Sequence, residues 1–163
     1  MSKQLSRHVD VSVDVDASPD AVWVIASDPT RVGEWSHEAR GCEWVSTGDV
    51  PYVGARFVGS NDAGRNRKWK RHCEVVGCVA PREFAWRTIP KGAYRDSTTW
   101  RIALEPLNGG GTRIHQSYDL TAPDWLLKLL WRVMPTHRDR TGELRADLER
   151  LGEAAIRTSV APV

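Results

Sequence analysis

Valine alternates with polar groups at period two through residues 7–16, RHVDVSVDVD, so Val9, Val11, Val13 and Val15 share one face of a half-buried strand. Ser18-Pro19-Asp20 follows with an N-cap, a proline at the first helical position and an acid in the first turn, opening a short helix over AVWVIAS. Asp28-Pro29 opens a second short helix or turn that runs through Trp35. From about residue 41 to 121 strands are predicted at 41–47, 54–60, 66–78, 82–89, 96–106 and 112–121. The breaks between them are turn sequences: Gly48-Asp49, Asn61-Asp62-Ala63-Gly64, Ala80-Pro81, Pro90-Lys91-Gly92 and Asn108-Gly109-Gly110-Gly111. The last is the clearest hairpin, because consecutive positive-φ residues cost least with Asn and Gly. Short, evenly spaced strands with tight turns predict an antiparallel meander, not βαβ units.

After Pro123 the period turns helical. WLLKLLWRVM, from Trp125 to Met134, is apolar nearly all round, and Pro135 interrupts it. The stretch 137–155 sets Leu144, Leu148 and Leu151 at i, i+4 and i+7, the stripe of an amphipathic helix laid across the sheet. The final TSVAPV reads as a loose tail. The order strand, two small helices, six strands and long C-terminal helix predicts an α+β fold, a curved antiparallel sheet of about seven strands wrapped round a helix. Five stretches sharpen the match: SPDAVWVIASDPTRVGEWS, GARFVGSN at 54–61, CVAPREFAWRT at 78–88, TTWRIALEP at 98–106 and the GGGTRIHQSYDL that follows. Together they resemble the START-like (helix-grip, SRPBCC) superfamily, and within it the bacterial polyketide-cyclase/dehydrase-like proteins of actinobacterial type, over roughly residues 7–155. That resemblance implies a helix-grip fold with an internal pocket. It does not choose a function, because the superfamily includes aromatase/cyclases, lipid and hormone binders, co-chaperone domains and toxin–antitoxin components.

The chain of 163 residues suits a single domain. Its net charge of +2 is too small to imply a polyanion partner, and eight Trp against two Phe suggest a cavity or amphipathic surface to line. Cys42, Cys73 and Cys78 form no CxxC and read as reduced thiols of a cytoplasmic protein. The N-terminus has no apolar run of signal-peptide length, and Trp125–Met134 is about half the ~20 residues that span a bilayer. That segment can instead close a pocket, bury a dimer contact or form a surface patch. A monomer and a homodimer are both compatible with it.

Alternation assigns the inner wall. Phe84 and Trp86 face inward from one strand, and Thr98, Trp100, Ile102 and Leu104 from the next. Ile114, Gln116, Tyr118 and Leu120 do so from the last, leaving Arg113, His115 and Asp119 outside. Trp69, Arg71, Cys73 and Val75 share a phase, as do Ala55, Phe57, Gly59 and Asn61. The expected ligand-binding set is therefore Phe57, Asn61, Trp69, Arg71, Phe84, Trp86, Trp100, Gln116 and Tyr118, an apolar concavity with a few polar groups. A filled core with Arg71 reaching the rim would give the same alternation.

Candidate chemistry is thin. No metalloprotease, P-loop or nucleophile-elbow motif is present, no metal-ligand spacing occurs, and no cofactor is implied. Arg71 and Tyr118 could stabilise an enolate oxygen, and His37 and Glu38 could move a proton at a pocket mouth. No carboxylate base is expected in the inner phase. The basic run around Trp69 (Arg65, Arg67, Lys68, Lys70, Arg71) splits across both faces of its strand, so nucleic acid is not expected as the partner. The leading expectation is binding of a small hydrophobic molecule. A cofactor-independent polyketide cyclase/aromatase and a toxin–antitoxin or co-chaperone-type regulator acting through its surface stand beside it.

Overall fold

The computed structural model describes residues 7–46, 48, 50–92, 95–133 and 139–160. In chain order they form β1 (His8–Val15), α1 (Pro19–Ala26), a 3-10 helix (Pro29–Glu34), β2 (Ala39–Trp44), β3 (Arg56–Asp62), β4 (Lys68–Val79), β5 (Glu83–Thr88), β6 (Ser97–Pro106), β7 (Thr112–Thr121), α2 (Asp124–Val133) and α3 (Thr141–Val160). The seven strands make one sheet in the order β1-β7-β6-β5-β4-β3-β2. Every neighbouring pair is antiparallel. The helix-grip expectation is met: a curved antiparallel sheet holding a C-terminal helix.

Local chemistry explains the boundaries. The Ser18 Oγ accepts the Ala21 N–H at 3.3 Å to cap α1, and the Asp28 carboxylate accepts the Thr30 N–H at 3.0 Å to start the 3-10 helix. Gly109 and Gly110 turn the β6–β7 hairpin with φ of 104° and 98°, placing Trp100 opposite Tyr118 and Ile102 opposite Gln116. A bulge in β4 at Val75/Gly77 leaves Val76 exposed and bends the strand. From there on Cys78, not an odd-numbered neighbour, pairs with Phe84.

Several predicted boundaries move. β2 spans Ala39–Trp44 and not 41–47, because the Ser36 Oγ accepts the Glu38 and Ala39 N–H groups and closes a turn just before it. The last helix was expected over 137–155 with a loose tail from Thr158. It starts at Thr141, whose N–H the Asp139 carboxylate accepts at 3.0 Å, and continues to Val160, since neither Gly nor Pro stands between Glu153 and Val160 to stop it. Met134, Pro135 and His137 lie outside the described residues.

Leu144, Leu148 and Leu151 of α3 pack against Val11, Ile114 and Tyr118 of the sheet and Val22 and Ile25 of α1, forming the main core. The approach to β1 is close: a Cβ on Gly152 would stand 2.5 Å from the Val15 Cγ1. A second cluster, Ala55, Phe57, Cys73, Val75 and Phe84, lies on β3, β4 and β5 and the turn before β3. Between the two clusters the concave face stays open.

Candidate functional site

The opening is a cavity of about 250 Å³. A ~150 Å³ apolar cavity holds one benzene ring, so this one suits a molecule of about two rings. One wall is a ladder of aromatic side chains, Phe84 and Trp86 successive on one face of β5, Trp100 opposite Trp86 on β6 and Tyr118 opposite Trp100 on β7. Phe84 and Trp86 lie 5.6 Å apart, Trp86 and Trp100 stack at 6.1 Å, and Trp100 meets Tyr118 at 4.7 Å. Burial raises the Tyr118 pKa, an effect that the nearby Arg140 charge opposes. Phe57, Asn61, Trp69, Arg71 and Gln116 complete the predicted set, and all nine residues line this one cavity. α2 closes it. Leu127 of that helix is fully buried, and Leu130 and Trp131 reach the lining, whereas Trp125, Leu129 and Val133 are exposed. The apolar-all-round segment is thus divided by its environment into a lining face and an outer face.

The polar lining differs from expectation in three respects. Arg71 is inward as predicted, but its guanidinium is committed to Asp96, with Nη1 donating at 3.1 and 3.0 Å to the carboxylate and Nη2 at 2.9 Å to the backbone oxygen. Carboxylates do stand in the inner phase: Asp96, Glu38, Asp28 and Asp147 all line the cavity. Asp96 is in step with Thr98 and Trp100, so strand parity held the signal at the first residue of the predicted strand. Glu38 lines the wall and is bonded by Arg140, while His37 sits behind it. The His37 Nδ1 lies 2.7 Å from the Asp147 Oδ2, and its backbone N–H donates to Oδ1 at 2.9 Å. That hydrogen bond to Asp147 raises the His37 pKa against the opposing cost of burial.

Arg140 and Asp147 carry much of this corner and neither was singled out. Both flank the leucine stripe of α3, at i−4 and i+3 from Leu144, where a charged residue at core spacing is the available clue. The Arg140 guanidinium also lies 5.8 Å from the centre of the Trp100 ring. Cys42, Cys73 and Cys78 are free thiols. Burial pushes Cys42 and Cys73 up to about 12. The basic run divides as predicted, with Trp69 and Arg71 in the lining and Arg65, Arg67, Lys68 and Lys70 exposed. Among the described residues no helix is long and apolar enough to cross a membrane.

Fold and cavity together define a helix-grip domain that encloses a mainly apolar chamber between its sheet and its helices. The chain belongs to the family described as polyketide cyclase / dehydrase and lipid transport, whose model matches residues 6–155. No curated protein matches it significantly. Among solved structures it is similar to norcoclaurine synthase from Thalictrum flavum in complex with a transition-state analogue. The TM-score is 0.67 at 15% identity, covering 93% of this chain and 95% of that one. Ginseng major latex-like protein 151 from Panax ginseng matches with TM-score 0.66 at 13% identity, over 97% and 99% of the two chains. The di-domain aromatase/cyclase BexL of the BE-7585A biosynthetic pathway matches at 0.66 and 13%, covering 96% of this chain and 48% of that one. At these identities the likeness is one of fold.

Proposed function

We propose that the protein binds one small, mainly apolar ring molecule in the chamber beneath α2. The observation that carries this reading is the aromatic ladder Phe84–Trp86–Trp100–Tyr118, which lines a cavity of about 250 Å³. Flat apolar walls with few polar groups favour a planar, largely uncharged guest. Family membership and the neighbouring structures support the same reading.

The polar lining favours binding over proton transfer. A cyclase that removes a proton next to a ketone needs a base able to accept it. Glu38 and Asp96 each accept from an arginine, Asp147 is held by His37 and Arg150, and Asp28 accepts from the Thr30 N–H and hydroxyl. A proton transfer to any of them would have to displace a hydrogen bond already made. The protein is expected to act where its fold and reduced thiols suit it, in the cytoplasm.

N-phenylnaphthylamine, a neutral fluorescent probe, tests the reading. It should bind the protein at a one-to-one ratio with a blue-shifted, enhanced emission. Thr98→Phe, which places a ring in the chamber, should abolish that signal, and Lys70→Ala, on the outer face, should leave it unchanged. Equal binding to the Thr98→Phe variant would show that the probe sits elsewhere and would end the proposal.

A further inference from the structure

α2 carries apolar side chains on two sides, and the chamber accounts for one of them. Leu127, Leu130 and Trp131 fall together on the lining side. The opposite side carries Trp125, Leu129 and Val133, which are 61%, 51% and 52% exposed. Spaced at i, i+4 and i+8, these three form one continuous ridge along the outer face. A helix that only closed a chamber would turn polar groups to water there. An apolar ridge in that position marks a surface that something else covers.

The charges beside the ridge indicate what the cover is. Lys128 and Arg132 are exposed and run alongside it on the same outer side of the helix. The turn between β3 and β4 reaches the C-terminal end of α2, where the Arg67 Nη1 donates to the Val133 backbone oxygen at 2.9 Å. Arg65 and Lys68 are exposed in that turn. Arg65 and Asn66 have φ of 51° and 61°, left-handed backbone that an arginine adopts at a cost, so the turn keeps a cation at its tip against local preference. The acids alongside, Asp62 and Asp124, are fewer, and Asp124 is bridged to Arg7. Two copies joined through the ridge about a two-fold axis would set these cations against each other. A bilayer surface rich in anionic lipid answers both features, its acyl boundary taking the ridge and its phosphates the cations.

We infer that the outer face of α2, with the β3–β4 turn beside it, docks the protein reversibly on an anionic lipid surface. The helix lies in the plane of the interface, with Trp125, Leu129 and Val133 toward the acyl chains and Lys128 and Arg132 at the head groups. Its other face roofs the chamber, so the docked protein presents the chamber's cover to the lipid.

Co-sedimentation with sucrose-loaded vesicles tests this, using phosphatidylcholine alone and phosphatidylcholine mixed with phosphatidylglycerol. At about 0.1 M salt the protein should bind the anionic vesicles at least about tenfold tighter, and the difference should shrink as salt rises. Trp125→Ser should weaken that binding about tenfold by removing apolar burial. Lys128→Gln combined with Arg132→Gln should weaken it about tenfold or more by removing two charges. Val79→Ser, an exposed apolar position at the other end of β4, should change nothing. All these variants replace exposed side chains outside the chamber, so uptake of N-phenylnaphthylamine in free solution should be unaltered, which separates this surface from the binding reading above. No binding to the anionic vesicles, equal binding to both kinds, or binding that neither α2 variant weakens would overturn the inference. A dimer in sedimentation velocity that Trp125→Ser dissociates would also overturn it and assign the ridge to a second copy.

Discussion

At the scale of single residues, the His37–Asp147 contact makes a pH-dependent clasp between the turn before β2 and α3. His37 also faces Glu143 at 3.3 Å and Arg140 at 3.5 Å, so its charge is favoured by two carboxylates and opposed by one guanidinium. Its pKa in the folded protein is raised from 6.5. The stabilisation is therefore fully present below about pH 6.5 and is lost as pH rises through the higher folded value. Melting temperatures of wild type and His37→Gln should differ most at about pH 5.5 and converge at about pH 9. A gap that widened with pH would contradict the pairing. Arg71 teaches a related lesson. Strand parity put it inside correctly, but its partner Asp96 stands just before β6, and no periodicity of β4 points to it. Inward direction was legible in the alternation; the pairing of charges was not, because it depends on where a loop returns.

Among the elements, α3 depends on a missing side chain. The contact of Gly152 with Val15 lets the helix lie directly on β1, and a Cβ there would also stand 2.8 Å from the Val15 Cβ. Gly152→Ala gains roughly 1 kcal/mol of helix propensity but overpacks the contact, which costs about 1–3 kcal/mol. The expected net result is a loss of up to about 2 kcal/mol, readable in urea unfolding. A stabilised variant would mean that helix and strand can separate freely. The strands themselves were legible because alternation and turn residues agree along 54–121. The ends of α3 were less so: its leucine stripe marks its face but says nothing of how far the helix continues past the last leucine. Nor did the sequence of α2 reveal a division into faces, since leucine and tryptophan occupy both. What divides them is the cavity on one side.

For the molecule as a whole, the sheet order separates what the chain keeps adjacent from what it must bring together. β2 to β7 follow one another in sequence and in space, so each pair is closed by a local connection. The aromatic ladder is built within that meander. The charged corner draws on Glu38 from the first part of the chain and Arg140 from the last, 102 positions apart. This is why the wall of the site could be read from the sequence and its polar corner could not. The former is a property of neighbouring strands, and the latter of their closure by the helices.

β1 is the strand that breaks this sequential order. Its partner is β7, with His8 opposite Asp119 across 111 residues of chain. Assembly on the ribosome therefore cannot be sequential from the N-terminus. The valine-rich first strand leaves the exit tunnel early and has to wait until residues 112–121 have followed, while the hairpins between close behind it. Long-range pairing of this kind is slow, since the loop must be closed before any contact rewards it. Pulse-labelled hydrogen exchange during refolding should find the amides of β4, β5 and β6 protected in an early phase and those of β1 in a later one, together with α3. Simultaneous protection of β1 and the β4–β5 hairpin would refute that order. During the interval the waiting strand is an unpaired edge of alternating valines, the kind of segment that recruits a second chain, so the yield of correctly folded protein should fall with concentration during refolding more steeply than its final stability would suggest.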